Sequence, residues 1–138
     1  GLWRAAVDVV FSRIPSLPAQ TEDRPPRERF IDLIDRFVHF VAEQPQATRI
    51  ISREGATPSA RLDYLLRNHV HEPFREVVDL LRAGQVAGVV RTDIRPELCL
   101  FLVLGAGSHL FDVSALAART QGIDTTSDWT REEFKAVL

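Results

Sequence analysis

The chain has 138 residues, of which 45% are hydrophobic and 26% charged, so it is long and apolar enough to form one domain with its own core. Its single cysteine excludes a disulfide framework and any four-cysteine zinc site. A formal net charge of −2 argues against a nucleic-acid-binding surface spread over the whole chain.

The first part of the chain predicts two helices joined by a connector. Apolar residues recur every three or four positions from Leu2 to Ile14, which indicates a helix. Residues 15–26 contain four prolines and are typical of a connector. A second helix begins at Pro25 and Pro26, because proline suits the first helical turn, and its wide apolar face predicts burial on more than one side.

Two further helices are predicted in the middle of the chain. A short one runs from about Ala47 to Glu54 and ends at Gly55. The next follows the capping residue Thr57 and runs from Pro58 to about Arg82. Pro73 lies inside this helix and removes a backbone hydrogen bond, so we expect a kink there.

The last third of the chain predicts two more helices. A fifth helix extends from Pro96 to about Arg119 and includes 14 residues without a formal charge, 98–111. A bilayer span needs roughly 20 apolar residues, so we expect a buried helix and no membrane insertion. A last helix begins at Thr130, because Thr130 and Glu133 have the spacing of a capping box. The sequence therefore predicts a single domain, residues 1–138, with an all-α fold of about six helices.

The two ends of the chain suggest a piece of a longer protein. The sequence contains no methionine and is apolar at both ends, whereas free termini are usually polar. No basic start followed by an apolar core and a cleavage site is present, so no signal peptide is predicted. The expected location is therefore the cytoplasm, which the single thiol also favours.

The order and lengths of these helices resemble the C-terminal domain of TetR-family transcriptional repressors. Three segments carry the resemblance: GLWRAAVDVVF at residues 1–11, RIISREGATPSARLDYLLRNHVHEPF at 49–74 and GQVAGVVRTDIRPEL at 84–98. The resemblance implies an effector-binding and dimerisation domain, with the DNA-binding helix-turn-helix domain upstream and missing from this chain. DNA is then contacted only through that missing domain, and a bound effector releases it by shifting the first helix.

The inner faces of the second, fourth and fifth predicted helices indicate a pocket for a small, largely apolar effector. The candidate ligand-binding residues are Phe37, Phe40, Val41, Leu65, Leu66, His69, Phe101, Leu104 and Ser108. For any one of them, ordinary core packing is the better explanation.

The two closing helices predict a homodimer interface, because the resembled family pairs these helices across a two-fold axis. The candidate interface residues are Val103, Gly107, Leu110, Ser114, Phe134 and Val137. Packing within the monomer is the alternative for each of them. A stand-alone helical protein–protein interaction module without a ligand is the alternative for the whole domain.

Catalysis and metal binding are not expected. Two residues, His69 and Glu72, are too few for a metal site. Ser108 and Asp112 share a helix face while His109 points elsewhere, so these three do not form a catalytic triad. Cys99, among apolar neighbours, is interpreted as a buried structural thiol. The sequence therefore predicts no enzyme and no cofactor.

Overall fold

The structure, a computed structural model, describes residues 1–13 and 23–137. Regular secondary structure in this part of the chain is entirely helical, which confirms the predicted all-α class. The predicted end of the first helix at Ile14 and most of the predicted connector lie outside the described residues.

The described residues form seven helices, close to the six expected. The first three are α1 (Leu2–Phe11), α2 (Pro26–Glu43) and α3 (Pro45–Gly55). Helix α4 is continuous through three segments, Ala60–Leu65, a π-helical turn at Leu66–Val70, and His71–Val86. The last three are α5 (Pro96–Asp112), α6 (Ser114–Gln121) and α7 (Asp128–Val137).

Serine side chains cap two helices at positions that differ from the predicted ones. The Ser59 hydroxyl accepts a hydrogen bond from the Leu62 backbone N–H at 3.0 Å, so α4 begins two residues after the predicted start. The Ser127 hydroxyl accepts from the Thr130 N–H at 3.1 Å, so α7 begins at Asp128 and not at Thr130. Serine and threonine are both good N-caps, so the sequence alone does not decide between neighbouring candidates.

The kink expected at Pro73 remains a prediction, and a π-helical turn lies just before this residue. The turn spans Leu66–Val70 and ends just before the segment that contains the proline. Pro73 has no N–H for the carbonyl of His69, and its ring crowds that carbonyl in a regular α-helix. A π turn at this point locally changes the hydrogen-bond register.

The predicted single helix from Pro96 to Arg119 is wrong, because the structure divides it at Val113. Helices α5 and α6 meet there at 68°. The end of α5 is held by α3, since Arg49 donates to the Asp112 carbonyl at 3.0 Å and Thr48 donates to the Asp112 carboxylate at 2.6 Å. Among the described residues no single helix is long and apolar enough to cross a bilayer, and only α5 and α6 taken together meet that criterion.

Two buried clusters organise the helices. One joins α1, α3 and α4 through Val7, Phe11, Ala47, Leu65 and Val70. The other joins α2, α5 and α7 through Val38, Val41 and Phe111, with Phe134 packed against them. Each large aliphatic or aromatic side chain buried in this way contributes about 1.5–3 kcal/mol. Helix α2 contacts α3, α4, α5 and α7 and so lies at the centre of the fold.

Candidate functional site

A cavity of about 660 Å³ lies among α2, the end of α4 with the turn that follows it, α5 and α7. Its apolar wall consists of Phe30, Ile31, Ile34, Leu81, Val89, Val90, Cys99, Val103 and Ala136. Its charged lining residues are Arg27, Asp35, Arg91, Glu132 and Lys135. The cavity therefore combines an apolar wall with a few charged groups, as small-molecule sites do.

Two glycines shape one wall of the cavity. A Cβ atom on Gly84 would lie 2.5 Å from the Phe30 ring and 2.7 Å from Val90. Only glycine therefore leaves room for these two side chains to pack against α4 at this position. Gly88 has a φ of 74°, a left-handed conformation that glycine adopts readily. The turn this produces brings the N–H groups of Val89 and Val90 to the Gly84 carbonyl, at 2.9 and 3.1 Å.

An ion-pair cluster closes one side of the cavity between α2 and α7. Lys135 donates to Asp35 at 2.7 Å and lies 2.6 Å from Glu132. Hydrogen bonds to these two carboxylates, first Asp35 and then Glu132, raise the pKa of Lys135. The three charged groups therefore neutralise one another in part and join two helices that are distant in the sequence.

The two arginines of the cavity lining differ in their partners. Arg91 pairs with Asp93 in the turn before α5, and this contact lowers the pKa of the aspartate. Arg27 lies in the first turn of α2 and has no acidic partner among the described residues. The positions three and four residues ahead of Arg27 on α2 are Phe30 and Ile31, so no carboxylate faces it along the helix.

None of the nine ligand-binding residues predicted from the sequence lines this cavity. Five pack in the two clusters, namely Phe37, Phe40, Val41, Leu65 and Leu66. Ser108 donates to the Leu104 carbonyl at 2.6 Å, within the helix. The Phe101 side chain is 63% exposed and lies edge-to-face with Phe74. As ligand contacts, these residues remain a prediction.

His69, the ninth predicted residue, belongs to a hydrogen-bonded network that joins α1 to α4. Its Nε2 lies 2.7 Å from a carboxylate oxygen of Asp8, and its ring stacks on Phe11. The Tyr64 hydroxyl donates to the same carboxylate at 2.8 Å. The hydrogen bond with His69, followed by that from Tyr64, lowers the pKa of Asp8, and the bond to Asp8 raises the pKa of Tyr64.

The predicted interface residues on α5 lie on its inner face. Gly107 is buried directly against the Phe37 ring, and Leu110 packs in the cluster of α2, α5 and α7. Val103 lines the cavity. Of the remaining candidates, Phe134 packs on Phe111, Ser114 is half-buried, and the Val137 side chain lies outside the described part of the structure. Their role in a dimer remains a prediction.

The opposite face of α5 is exposed, contrary to the expectation of a buried helix. Leu98 is 48% exposed and Leu102 is 62% exposed, with Phe101 beside them. Gly105 continues this face and has open space where a Cβ atom would lie. The four residues recur at intervals of three and four, so they form one apolar stripe along the helix.

The other residues considered in the sequence have separate partners. Glu72 accepts from Arg75, whereas His69 contacts Asp8, and no group of three metal-ligating residues occurs in the described ranges. The Asp112 carboxylate accepts from Thr48, so it does not serve Ser108 or His109. Cys99 is only half-buried and faces the cavity, which corrects its interpretation as a buried thiol.

The sequence does not reveal most of the cavity lining, because its residues come from separate segments that meet only in the folded chain. Val89 and Val90 belong to no helix, so helical periodicity does not mark them. Lys135 and Asp35 are 100 residues apart, and no local pattern links them. The sequence does offer a signal at Arg27. Apolar residues stand three and four positions after it, so no carboxylate on the helix is placed to pair with its charge.

A family model matches most of the chain. Residues 26–138 match the family model described as tetracyclin repressor-like, C-terminal domain. No curated protein and no solved structure matches the chain.

Proposed function

The chain belongs to the family of tetracyclin repressor-like C-terminal domains, and on this premise we propose that it is the effector-sensing and dimerisation domain of a transcriptional repressor. Domains of this family are parts of transcription regulators. In the proposed mechanism a small molecule binds inside the domain and causes the repressor to release operator DNA. The DNA is held by a helix-turn-helix domain, and the protein acts in the cytoplasm as a regulator without catalytic activity.

The cavity among α2, α4, α5 and α7 is the observation that carries this proposal. Its volume of about 660 Å³ falls within the roughly 300–1,000 Å³ typical of small-molecule sites. Its wall is mainly aliphatic and aromatic, which suits a largely apolar effector. We therefore assign the effector to this cavity, and not to the packed clusters that hold most of the residues predicted from the sequence.

Helix α4 connects the proposed effector site to α1. Leu81 lines the cavity, and Tyr64 and His69 hold Asp8 of α1 at the other end of the same helix. Leu81 lies 12 positions after His69, a distance of about 18 Å along the helix. An effector that binds the domain more tightly when α4 is in one of two placements favours that placement. Because α4 holds α1, the effector then shifts α1 and the DNA-binding domains attached to the dimer.

The exposed stripe of α5 supports dimerisation through a face different from the predicted one. Leu98, Phe101 and Leu102 present an apolar surface in a monomer. A two-fold interface places the same face of each subunit against itself, so one apolar stripe is sufficient. We propose that this outward face forms the dimer, while Gly107 and Leu110 serve the packing of each monomer.

The effector site is tested with a neutral apolar probe, 1-decanol, in a thermal unfolding assay. A ligand present at 100 times its dissociation constant stabilises a protein by about 2.7 kcal/mol, so the melting temperature of the wild type should rise. Ile31→Trp narrows the cavity at a residue that is 62% exposed and should reduce the effect. Equal stabilisation of the two proteins, or none, contradicts the assignment of the cavity.

The dimer is tested by sedimentation of the wild type and two charge variants. Leu102→Glu places a carboxylate in the proposed interface and should give a monomer. Val9→Glu makes the same change at a residue of α1 that is 58% exposed, and should leave the dimer intact. A monomeric wild type, or a dimer that survives Leu102→Glu, argues against this face.

A further inference from the structure

We propose that the effector carries one anionic head group on an apolar body, with the head group bound by Arg27 at the α2 end of the cavity. This inference rests on the proposed effector site and specifies the chemical class of its ligand. A carboxylate, a sulfonate or a phosphate monoester would all provide the required charge.

The first observation is the position of Arg27. Its charge lines a cavity whose wall is otherwise mainly apolar, and it has no acidic partner among the described residues. The other basic residues of the lining are already paired, Lys135 with Asp35 and Glu132, and Arg91 with Asp93. Among the described residues, Arg27 is therefore the cation of the lining that has no ion-pair partner, and its guanidinium donors are available to a ligand.

The second observation is the electrostatic setting of Arg27 in α2. The first turn of a helix carries the positive end of the helix dipole, which disfavours a cation and favours an anion. Arg27 lies in that turn of the 18-residue helix α2, with only Glu28 as an acidic residue of the turn. An anionic group at this end of the cavity would interact favourably with both the guanidinium and the positive end of the helix dipole.

The third observation is the distribution of charge along α2. Asp35 lies two turns after Arg27, on the same side of the helix, and its carboxylate is occupied by Lys135. The residues between them on this side, Ile31 and Ile34, are apolar. The arrangement matches a ligand with a charged end near Arg27 and an apolar body over the isoleucines.

The test compares three probes that differ only in the head group: decanoate, 1-decanol and decylamine, each below its micelle-forming concentration. Dissociation constants are measured by calorimetry on the wild type. We expect decanoate to bind about tenfold more tightly than 1-decanol, the factor that corresponds to one charge-assisted hydrogen bond. Decylamine should bind no more tightly than 1-decanol.

Two variants at matched positions localise the head group. Arg27→Gln should bring decanoate to the affinity of 1-decanol while leaving 1-decanol unchanged. Arg67→Gln removes an exposed arginine of α4 outside the cavity lining and should change neither affinity. Loss of the decanoate preference in both variants would indicate a general charge effect and would overturn the role of Arg27.

The remaining outcomes separate this inference from the proposed effector site. Equal binding of decanoate and 1-decanol, or tighter binding of decylamine, overturns the inference that the effector is an anion. In that case the cavity is still supported as the effector site when Ile31→Trp weakens binding of the probes. Binding of none of the probes, or binding that Ile31→Trp leaves unchanged, overturns the effector cavity itself.

Discussion

Replacement of Gly107 by alanine tests directly which face of α5 points into the monomer. Gly107 lies in the interior of α5, where glycine costs about 0.5–1 kcal/mol relative to alanine, so the substitution alone should stabilise the helix. A Cβ atom at this position, however, collides with the Phe37 ring of α2. Overpacking of this kind costs about 1–3 kcal/mol, so we expect a net destabilisation of about 1 kcal/mol.

Gly105→Ala is the matched control on the same helix. Within one subunit a Cβ atom at Gly105 meets open space, so this variant should raise the stability of the monomer by the full helix-propensity term of about 0.5–1 kcal/mol. Both variants are unfolded in urea at two protein concentrations, which separates monomer stability from dimer dissociation. The midpoint should fall for Gly107→Ala and rise for Gly105→Ala, with unchanged slopes.

A third variant links the effect to its cause. In Gly107→Ala combined with Phe37→Leu, the smaller side chain makes room for the new methyl group, so the double variant should be more stable than the sum of the single effects predicts. If Gly107→Ala stabilises the protein as much as Gly105→Ala, then Gly107 does not face Phe37. The assignment of the inner and outer faces of α5 would then be wrong.

Two other predictions concern the attachment of α1 and the start of α4. Hydrogen bonds from His69 and Tyr64 lower the pKa of Asp8 below its usual 3.8. These bonds therefore stabilise the folded state fully at a pH above 3.8. The stabilisation is lost as the pH falls through the lower pKa that Asp8 has in the folded state. The urea midpoint of the wild type should therefore exceed that of Asp8→Asn at neutral pH, and the difference should narrow in acid; a difference independent of pH would contradict the network. Ser59→Ala should lower the free energy of unfolding by about 1 kcal/mol, whereas Thr57→Ala should leave it nearly unchanged, and equal effects would show that Ser59 is not the cap.

The helical class and most helix positions were predictable from local patterns in the sequence. Proline in the first turn marks the beginning of α2, and Pro96 marks that of α5. The starts of α4 and α7 were displaced by two residues, because more than one good capping residue stood nearby and only the folded backbone selects between them. The break at Val113 was also missed, since Thr48 and Arg49 of α3 hold the end of α5 from far away in the sequence.

The orientation of α5 depended on tertiary structure. Residues 98–111 carry no formal charge, so both faces of this helix are apolar and helical periodicity does not distinguish them. The contact of Gly107 with Phe37 turns one face inward and leaves Leu98 and Leu102 exposed. The predicted interface residues and the exposed apolar stripe therefore lie on opposite sides of one helix.

The sequence by itself determined that this chain is all-α, because periodicity, prolines and glycines act within a few residues of the chain. The location of the cavity was decided only by the tertiary structure. Its wall joins Phe30 to Val90 across Gly84 and is closed by Lys135 on Asp35, 100 residues away. Such contacts are set by how helices pack in space, and no short segment of sequence encodes that packing.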